Sequence, residues 1–551
     1  MGRQSWLCYI RAATVRERPP NLPCLHTRPV RCNVMLQLMT SRRGFLLGTG
    51  AAILTARRGI SSASADQRVS IDLTKETGTI RPELHGHFAE HLGSCVYGGL
   101  WVGKNSKIPN INGLRKQAVD YLKGLVPVLR WPGGCFADDY HWRDGIGPAA
   151  RRPKGVNITW GMYTEDNSFG THEFMELCRL IDAAPYLAGN VGSGTPEELR
   201  NWMEYCNYPK GSSLSDERAA NGSPEPFNVK YWGVGNENWG CGGNMSGDEY
   251  ATQYRRFANY LRPFGSTPPF LIACGPNGND KTWTQKFWGN MRGGRPAGFA
   301  MHFYSNGRRN AATHFTVENM REQLATFPNI EAAIIEQRAL IDTLAPPSAR
   351  QGPVGLLLDE WGVWDQMDPA EEKKYGRLFQ QITMRSAVAA ALGLNVIHRQ
   401  AGKLVMTNIA QMVNVLHALL LTEEDKCVRT TTYYVYEFTK PHLGQTSLQT
   451  ETGEPGAMEL SMSASRREKD LTITLVNPKP DTTINVNCSL SGATPAGATG
   501  RVLQDNDLNA ANTFTDPNRV VPKPLKVTAQ GGTVTVELPP LSVATLLVKL
   551  S

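Results

Sequence analysis

The chain has 551 residues, 41% of them hydrophobic and 20% charged. This composition excludes a disordered or collagen-like protein, and the length exceeds one small domain; a barrel with an added β domain fits it. The net charge of +8 is no sign of a nucleic-acid partner. Ten Arg and one Glu give residues 1–65 a charge of +9, leaving −1 on the rest, whereas nucleic-acid binding needs a basic patch on the folded body.

The N-terminal stretch has its own order. Ser41-Arg42-Arg43-Gly44-Phe45-Leu46-Leu47 resembles a twin-arginine export signal. An apolar run follows through Ala56, then Arg57 and Arg58, then the small residues Ala63-Ser64-Ala65. Basic region, apolar region and cleavage site occur in that sequence in export signals, and the apolar run is short of the ~20 residues that span a bilayer. The expectation is a leader over 1–65, starting at Met1, Met35 or Met39. A bacterial cell would send the mature protein to the periplasm or outside, with no membrane attachment after cleavage. Three of the eleven cysteines (Cys8, Cys24, Cys32) fall in this leader. The other eight show no C-x-x-C or zinc-ribbon spacing, so buried free thiols are expected rather than a disulfide framework.

Residues 67–75 alternate apolar and polar and predict a strand. From about 84 to 442, short apolar runs alternate with helical stretches. Residues 126–131 (VPVLRW) predict a strand, 171–184 a helix, and 185–190 a strand. Residues 195–206 predict a helix with Thr195 as N-cap and Pro196 in its first turn. Residues 229–233, 270–274 and 355–358 predict further strands. Repeated βα units imply a parallel sheet, either a closed barrel or a doubly wound fold. Beyond about Pro441 the helical pattern stops. Strands predicted at 471–476, 483–486 and 533–538, with Asn, Gly, Pro and Thr between them, indicate an antiparallel β-sandwich. The strand at 67–75 has no βα partner and is expected to join it. The predicted units are a catalytic domain over 83–442 and a sandwich built from 66–82 and 443–551.

Two strand ends carry carboxylates suited to glycoside hydrolysis, which needs one acid to protonate the leaving oxygen and another to attack the anomeric carbon or activate water. In Lys230-Tyr231-Trp232-Gly233-Val234-Gly235-Asn236-Glu237 an apolar strand runs into small residues and presents Asn236 and Glu237. A nucleotide-binding glycine loop does not fit, because Asn238 replaces the third glycine. In Leu356-Leu357-Leu358-Asp359-Glu360-Trp361 a buried strand ends on Glu360 beside an aromatic wall. Glu360 alone could merely cap a helix; the pair on separate strand ends points to a hydrolase.

The chain resembles glycoside hydrolase family 51, the α-L-arabinofuranosidases, from about residue 68 to 550. The resemblance rests on Leu84-His85-Gly86-His87-Phe88-Ala89-Glu90-His91, Leu129-Arg130-Trp131-Pro132-Gly133-Gly134-Cys135-Phe136, the Gly235-Asn236-Glu237 segment, Met301-His302-Phe303-Tyr304, Asp359-Glu360-Trp361 and Asn408-Ile409-Ala410-Gln411-Met412. It implies a (β/α)8 TIM barrel with a C-terminal antiparallel β-sandwich, and retaining, exo-acting release of terminal α-L-arabinofuranosyl units from hemicellulose or pectin side chains. It implies Glu237 as general acid/base, Glu360 as nucleophile, Glu90, Asn236 and Gln411 as binders of sugar hydroxyls, and Tyr304 with His302 as groups that orient the nucleophile. Cys135 is placed with the substrate-binding residues, although many members have Asn there. The run Asn238-Trp239-Gly240-Cys241-Gly242-Gly243 also departs from the family's usual Gly-Asn-Glu-Met-Asp pattern, which bears on the subsite beyond arabinose. No metal or organic cofactor is expected. The expected partner is an arabinose-containing oligo- or polysaccharide, with a homo-oligomer allowed by the family.

Three rival readings are open. The same machinery could serve a retaining xylosidase or endoglucanase. His85 and His87, an H-x-H near an early strand, could begin the metal site of an amidohydrolase with His302 as a later partner. The twelve Trp and seventeen Tyr could build a non-catalytic sugar-binding surface, against which the two strand-end glutamates argue.

Overall fold

The computed structural model describes residues 63–305, 309–348, 352–453 and 456–551. The twin-arginine motif and the start sites lie outside the described residues.

After a long first strand, β1 (Ala63–Thr79), eight strands build a barrel: β2 (Gly86–Phe88), β3 (Val128–Trp131), β4 (Ala184–Gly189), β5 (Tyr231–Val234), β6 (Phe270–Ala273), β7 (Gly298–Ser305), β8 (Gly355–Val363) and β9 (Leu404–Ile409). Each pairs in parallel with the next, and β9 closes on β2. Parallel neighbours need crossovers, and helices such as Thr171–Ile181 and Pro196–Asn207 provide them. The Thr195 hydroxyl accepts from the Glu198 amide at 3.1 Å and Pro196 opens the helix, as its sequence predicts. Val128, Tyr186, Tyr231, Ile272, Ala300, Leu357 and Met406, one from each of β3 to β9, form a buried layer inside the barrel. The barrel interior is therefore packed core, and chemistry is left to the rim beyond the strand ends. Strands β7 and β9 escape the sequence reading. In β7, GFAMHFYS, polar residues that face the rim interrupt the apolar run.

The chain then forms β10 (Thr446–Glu451), β11 (Ser461–Arg467), β12 (Asp470–Asn477), β13 (Thr482–Ser491), β14 (Pro495–Gln504), β15 (Lys523–Leu525), β16 (Val527–Gln530), β17 (Thr533–Leu538) and β18 (Ser542–Leu550). With β1 they make a ten-stranded sheet in the order β15-β14-β18-β12-β11-β10-β1-β13-β17-β16. Residues from both halves of this sheet, among them Val69, Ile71, Met462, Ile473, Val486, Val536 and Leu546, share one core. The expected N-terminal strand is thus incorporated. One pair departs from the antiparallel expectation: β1 runs parallel to β13, from Ala63 opposite Thr482 to Asp72 opposite Ser491. No hairpin links strands from opposite chain ends, so nothing local imposes antiparallel pairing. Ala63-Ser64-Ala65, read from sequence as a cleavage site, lie within β1 and pair with residues 482–484.

Helix Met384–Arg399 is buried on every side from Met384 to His398, as a helix wedged between two layers must be. It meets the sandwich through polar contacts. Asn395 Nδ2 donates to Ser461 Oγ at 3.1 Å, and His398 Nδ1 lies 3.1 Å from Ser463 Oγ. His398 Nε2 lies 2.8 Å from His85 Nε2, and His442 bonds Ser465 and Thr474. Burial pushes His85 and His442 down to about 3 and His398 well below its ordinary value. Each must therefore stay neutral in the folded state, whereas the unfolded chain binds protons below about pH 6.5. Stability is fully present above that pH and is lost as pH falls toward 3, by about 1.4 kcal/mol per pH unit for each such histidine. Buried Glu90, pushed up to about 7, takes up its proton over the same range and opposes this loss, so the seam is read as a difference. His442→Gln should lessen the fall in melting temperature between pH 6.5 and 4.5 relative to wild type, and an unchanged pH dependence would contradict the neutral seam.

Candidate active site

At the C-terminal ends of β2, β3, β5, β7, β8 and β9, the predicted residues meet. Gly235, at φ 83°, turns the chain sharply after β5 and delivers Asn236 and Glu237 to the rim. In β8 the pairing with β7 slips: Met301 faces Leu358, but His302 faces Glu360. This bulge re-aims the strand and brings Glu360 level with His302.

His302 Nδ1 sits 2.8 Å from Glu237 Oε1 and 3.6 Å from Glu360 Oε2. The three ligand atoms of Glu237, His302 and Glu360 lie within 4.8 Å of one another. Sequence placed His302 beside the nucleophile; it is nearer the other glutamate and bridges the two. Tyr304 donates its hydroxyl to Glu360 Oε2 at 2.7 Å. Glu90 is buried; its Oε1 accepts from the Phe136 amide at 3.0 Å and Trp160 Nε1 at 2.8 Å, and its Oε2 from Gln411 Nε2 at 2.7 Å. Asn236 Nδ2 and Gln411 Oε1 are buried with no protein partner. Buried polar atoms are rarely left so, and a donor and an acceptor at this rim suit sugar hydroxyls.

The two carboxyls are tuned apart. Burial raises Glu237, the Glu360 charge raises it further, and His302 only partly opposes them. Burial would raise Glu360 too, but the charges of His302 and Arg130 and the bonds donated by Tyr304 and Arg130 hold it below the ordinary carboxylate value. The surroundings thus push one carboxyl toward its protonated form and the other toward its ionised form, the directions that acid and nucleophile require. Burial pushes Glu90 up to about 7.

Sequence reasoning missed several parts. Arg130 is buried, donates to Glu360 Oε1 at 2.9 Å and to Asn236 Oδ1, and lies 3.6 Å from Asp359 Oδ2. Its signal was present: an Arg inside the strand VPVLRW must find a buried partner. Tyr186 and Asn408 donate to Asp359, completing a layer beneath the site. Asp138 accepts from the Val191, Gly192 and Asn236 amides and so fixes the loop that carries Glu237. Trp160, on the hairpin formed by Gly155–Asn157 and Tyr163–Glu165, had no sequence signal, because its role comes from where the hairpin folds.

One expectation is corrected and one rival reading falls. Cys135 is not a free thiol: it is disulfide-bonded to Cys241, 106 residues away. The other cysteines of the described residues are free, as expected. The pair arises because the loops after β3 and β5 meet, which spacing cannot show. Both sulfurs contact Glu237 Oε2 at 3.6 Å. The amidohydrolase reading also fails on geometry. His85 and His87 pack against Tyr436, away from His302, and among the described residues neither belongs to a cluster of three metal-ligating side chains. The clusters that exist are Glu237–His302–Glu360 and Cys135–Glu237–Cys241. In the first, the Arg130 guanidinium already neutralises Glu360, which disfavours a cation.

Two neighbouring carboxyls whose pKa values are pushed in opposite directions, at the rim of a parallel barrel, are the equipment of a glycoside hydrolase. Residues 121–322 match the alpha-L-arabinofuranosidase 1 domain, and residues 359–542 the alpha-L-arabinofuranosidase C-terminal domain. An intracellular exo-alpha-L-arabinofuranosidase of Bacteroides ovatus is 41% identical over 88% of this chain and 96% of its own length. The crystal structure of a GH51 arabinofuranosidase from Xanthomonas axonopodis pv. citri superposes with a TM-score of 0.84 at 37% identity, covering 88% of this chain and all of that one. An arabinose complex of the Thermotoga maritima α-L-arabinofuranosidase gives 0.78 at 30% identity over the same shares. The chain belongs to the glycoside hydrolase family 51 α-L-arabinofuranosidases. The Bacteroides ovatus relative is named intracellular, which overturns the exported location expected from the leader.

Proposed function

We propose that this protein releases terminal α-L-arabinofuranosyl units from arabinose-containing oligo- or polysaccharides by double displacement. Glu360 attacks the anomeric carbon while Glu237 protonates the leaving oxygen. Glu237, now a base, then activates water to free arabinose with retained configuration. Glu90, Asn236 and Gln411 hold the ring hydroxyls, and Tyr304 and Arg130 keep Glu360 ionised and aimed. Residues 83–442 form the catalytic unit, and 66–82 with 443–551 support it.

The observation that carries this reading is the approach of Glu237 and Glu360, whose nearest carboxylate oxygens lie within 4.8 Å. Retaining enzymes hold these groups about 5–5.5 Å apart, whereas inverting ones leave about 6.5–9.5 Å for a water. The exo action and the arabinofuranosyl substrate draw on the relatives' names. The test is NMR of the first product when an aryl α-L-arabinofuranoside is turned over in aqueous methanol. Methyl α-L-arabinofuranoside is expected. The β anomer would rule out double displacement, and turnover of only an aryl xyloside or a cellulosic chain would move the substrate to the rival class.

A further inference from the structure

Cys135 and Cys241 stand on different rim loops, and their bridge lies against the carboxyl proposed as the proton donor. Glu237 turns one oxygen toward His302 and the other, Oε2, toward both sulfurs at 3.6 Å. Cys241 is exposed and Cys135 half-buried, so a small dithiol can reach the bridge. Thiol–disulfide exchange would pass two electrons and two protons to the pair. The reductant would leave as its own disulfide, and two thiols would face Glu237.

That reduced trio has the make-up of a metal site. Two thiolates and a carboxylate form a donor set that suits Zn²⁺ and its softer relatives. Zinc binds sulfur at about 2.3 Å and carboxylate oxygen at about 2.0–2.2 Å in a tetrahedron, which separates neighbouring donors by about 3.6 Å. The sulfur-to-oxygen distances already have this value, so only the two sulfurs need to part. Gly240, Gly242 and Gly243 flank the exposed Cys241, so no neighbouring side chain on its own turn stands in the way of that movement. Among the described residues, no other cysteine belongs to a three-ligand cluster.

We propose that reduction of Cys135–Cys241 opens a site for a thiophilic divalent cation, Zn²⁺ in the first instance, which takes Glu237 as its third ligand and stops catalysis. Binding releases the two thiol protons and the proton of Glu237, which is then held as a carboxylate and cannot protonate the leaving group. The effect on catalysis rests on Glu237 being the acid/base; the site itself does not.

The test compares three preparations of the full chain, freed of reductant: oxidised protein, protein reduced with a phosphine, and reduced Cys241→Ser. Each is titrated with Cd²⁺, read by thiolate-to-metal absorbance in the near ultraviolet, and with Zn²⁺, read as arabinose release from an arabino-oligosaccharide relative to its own metal-free rate. The reduced wild type is expected to bind one more Cd²⁺ than the other two, and to lose activity at least tenfold with Zn²⁺ at concentrations that spare them. Equal Cd²⁺ binding by reduced wild type and Cys241→Ser would overturn the site, as would equal Zn²⁺ inhibition of the oxidised form. Extra Cd²⁺ absorbance with activity intact would overturn Glu237 as the third ligand, and with it the control of catalysis.

Discussion

Glu360→Ala is expected to lower turnover of an aryl α-L-arabinofuranoside by on the order of 10⁴-fold or more, because no other group can form the glycosyl-enzyme. The barrel should survive the loss. Arg130 would forfeit its bond to Glu360 but keep Asp359 and Asn236 beside it, so its buried charge is not stranded. The isosteric Glu360→Gln should fold equally well and be equally inactive, since an amide cannot attack. Thermal melting and steady-state rates read fold and chemistry separately. A variant that melts like the wild type and keeps its kcat would remove Glu360 from the mechanism.

For Glu237→Ala the loss should depend on the leaving group. A natural sugar alcohol departs only with a proton, so kcat/KM on an arabino-oligosaccharide should fall by roughly 10²–10⁴-fold. A nitrophenolate departs unaided and its first step should suffer far less. The pH profile gives a second reading. Glu237 must be protonated and sits above its ordinary value, so it governs the alkaline limb. Glu360 must be ionised and sits below its ordinary value, so it governs the acid limb. Removing Glu237 should abolish the alkaline limb and leave the acid one. Equal losses on both substrates with the alkaline limb retained would assign the proton to another group, His302 being the nearest.

Much of the site was legible because it lies at strand ends. An apolar strand that stops on a glycine or on a carboxylate announces a rim residue, and Glu237 and Glu360 were found that way. Arg130 was passed over although the same logic applied: its charge lies within a strand instead of at its end. His302 was found beside Glu360 but its shorter contact, to Glu237, was not, because which strand-end groups face one another across the barrel rim is invisible in one strand alone.

By itself the sequence determined the alternation of strand and helix, the β-rich C-terminal part, the two glutamates and the family. All of these are written in local periodicity and short motifs, which act over a few residues. The tertiary structure alone decided the parallel seat of β1 beside β13, the neutral histidine seam and the Cys135–Cys241 bridge against Glu237. Each joins residues from tens to hundreds of positions apart. Which distant groups share a buried, low-dielectric space is set by how layers pack, and that same space pushes the two carboxyls in opposite directions.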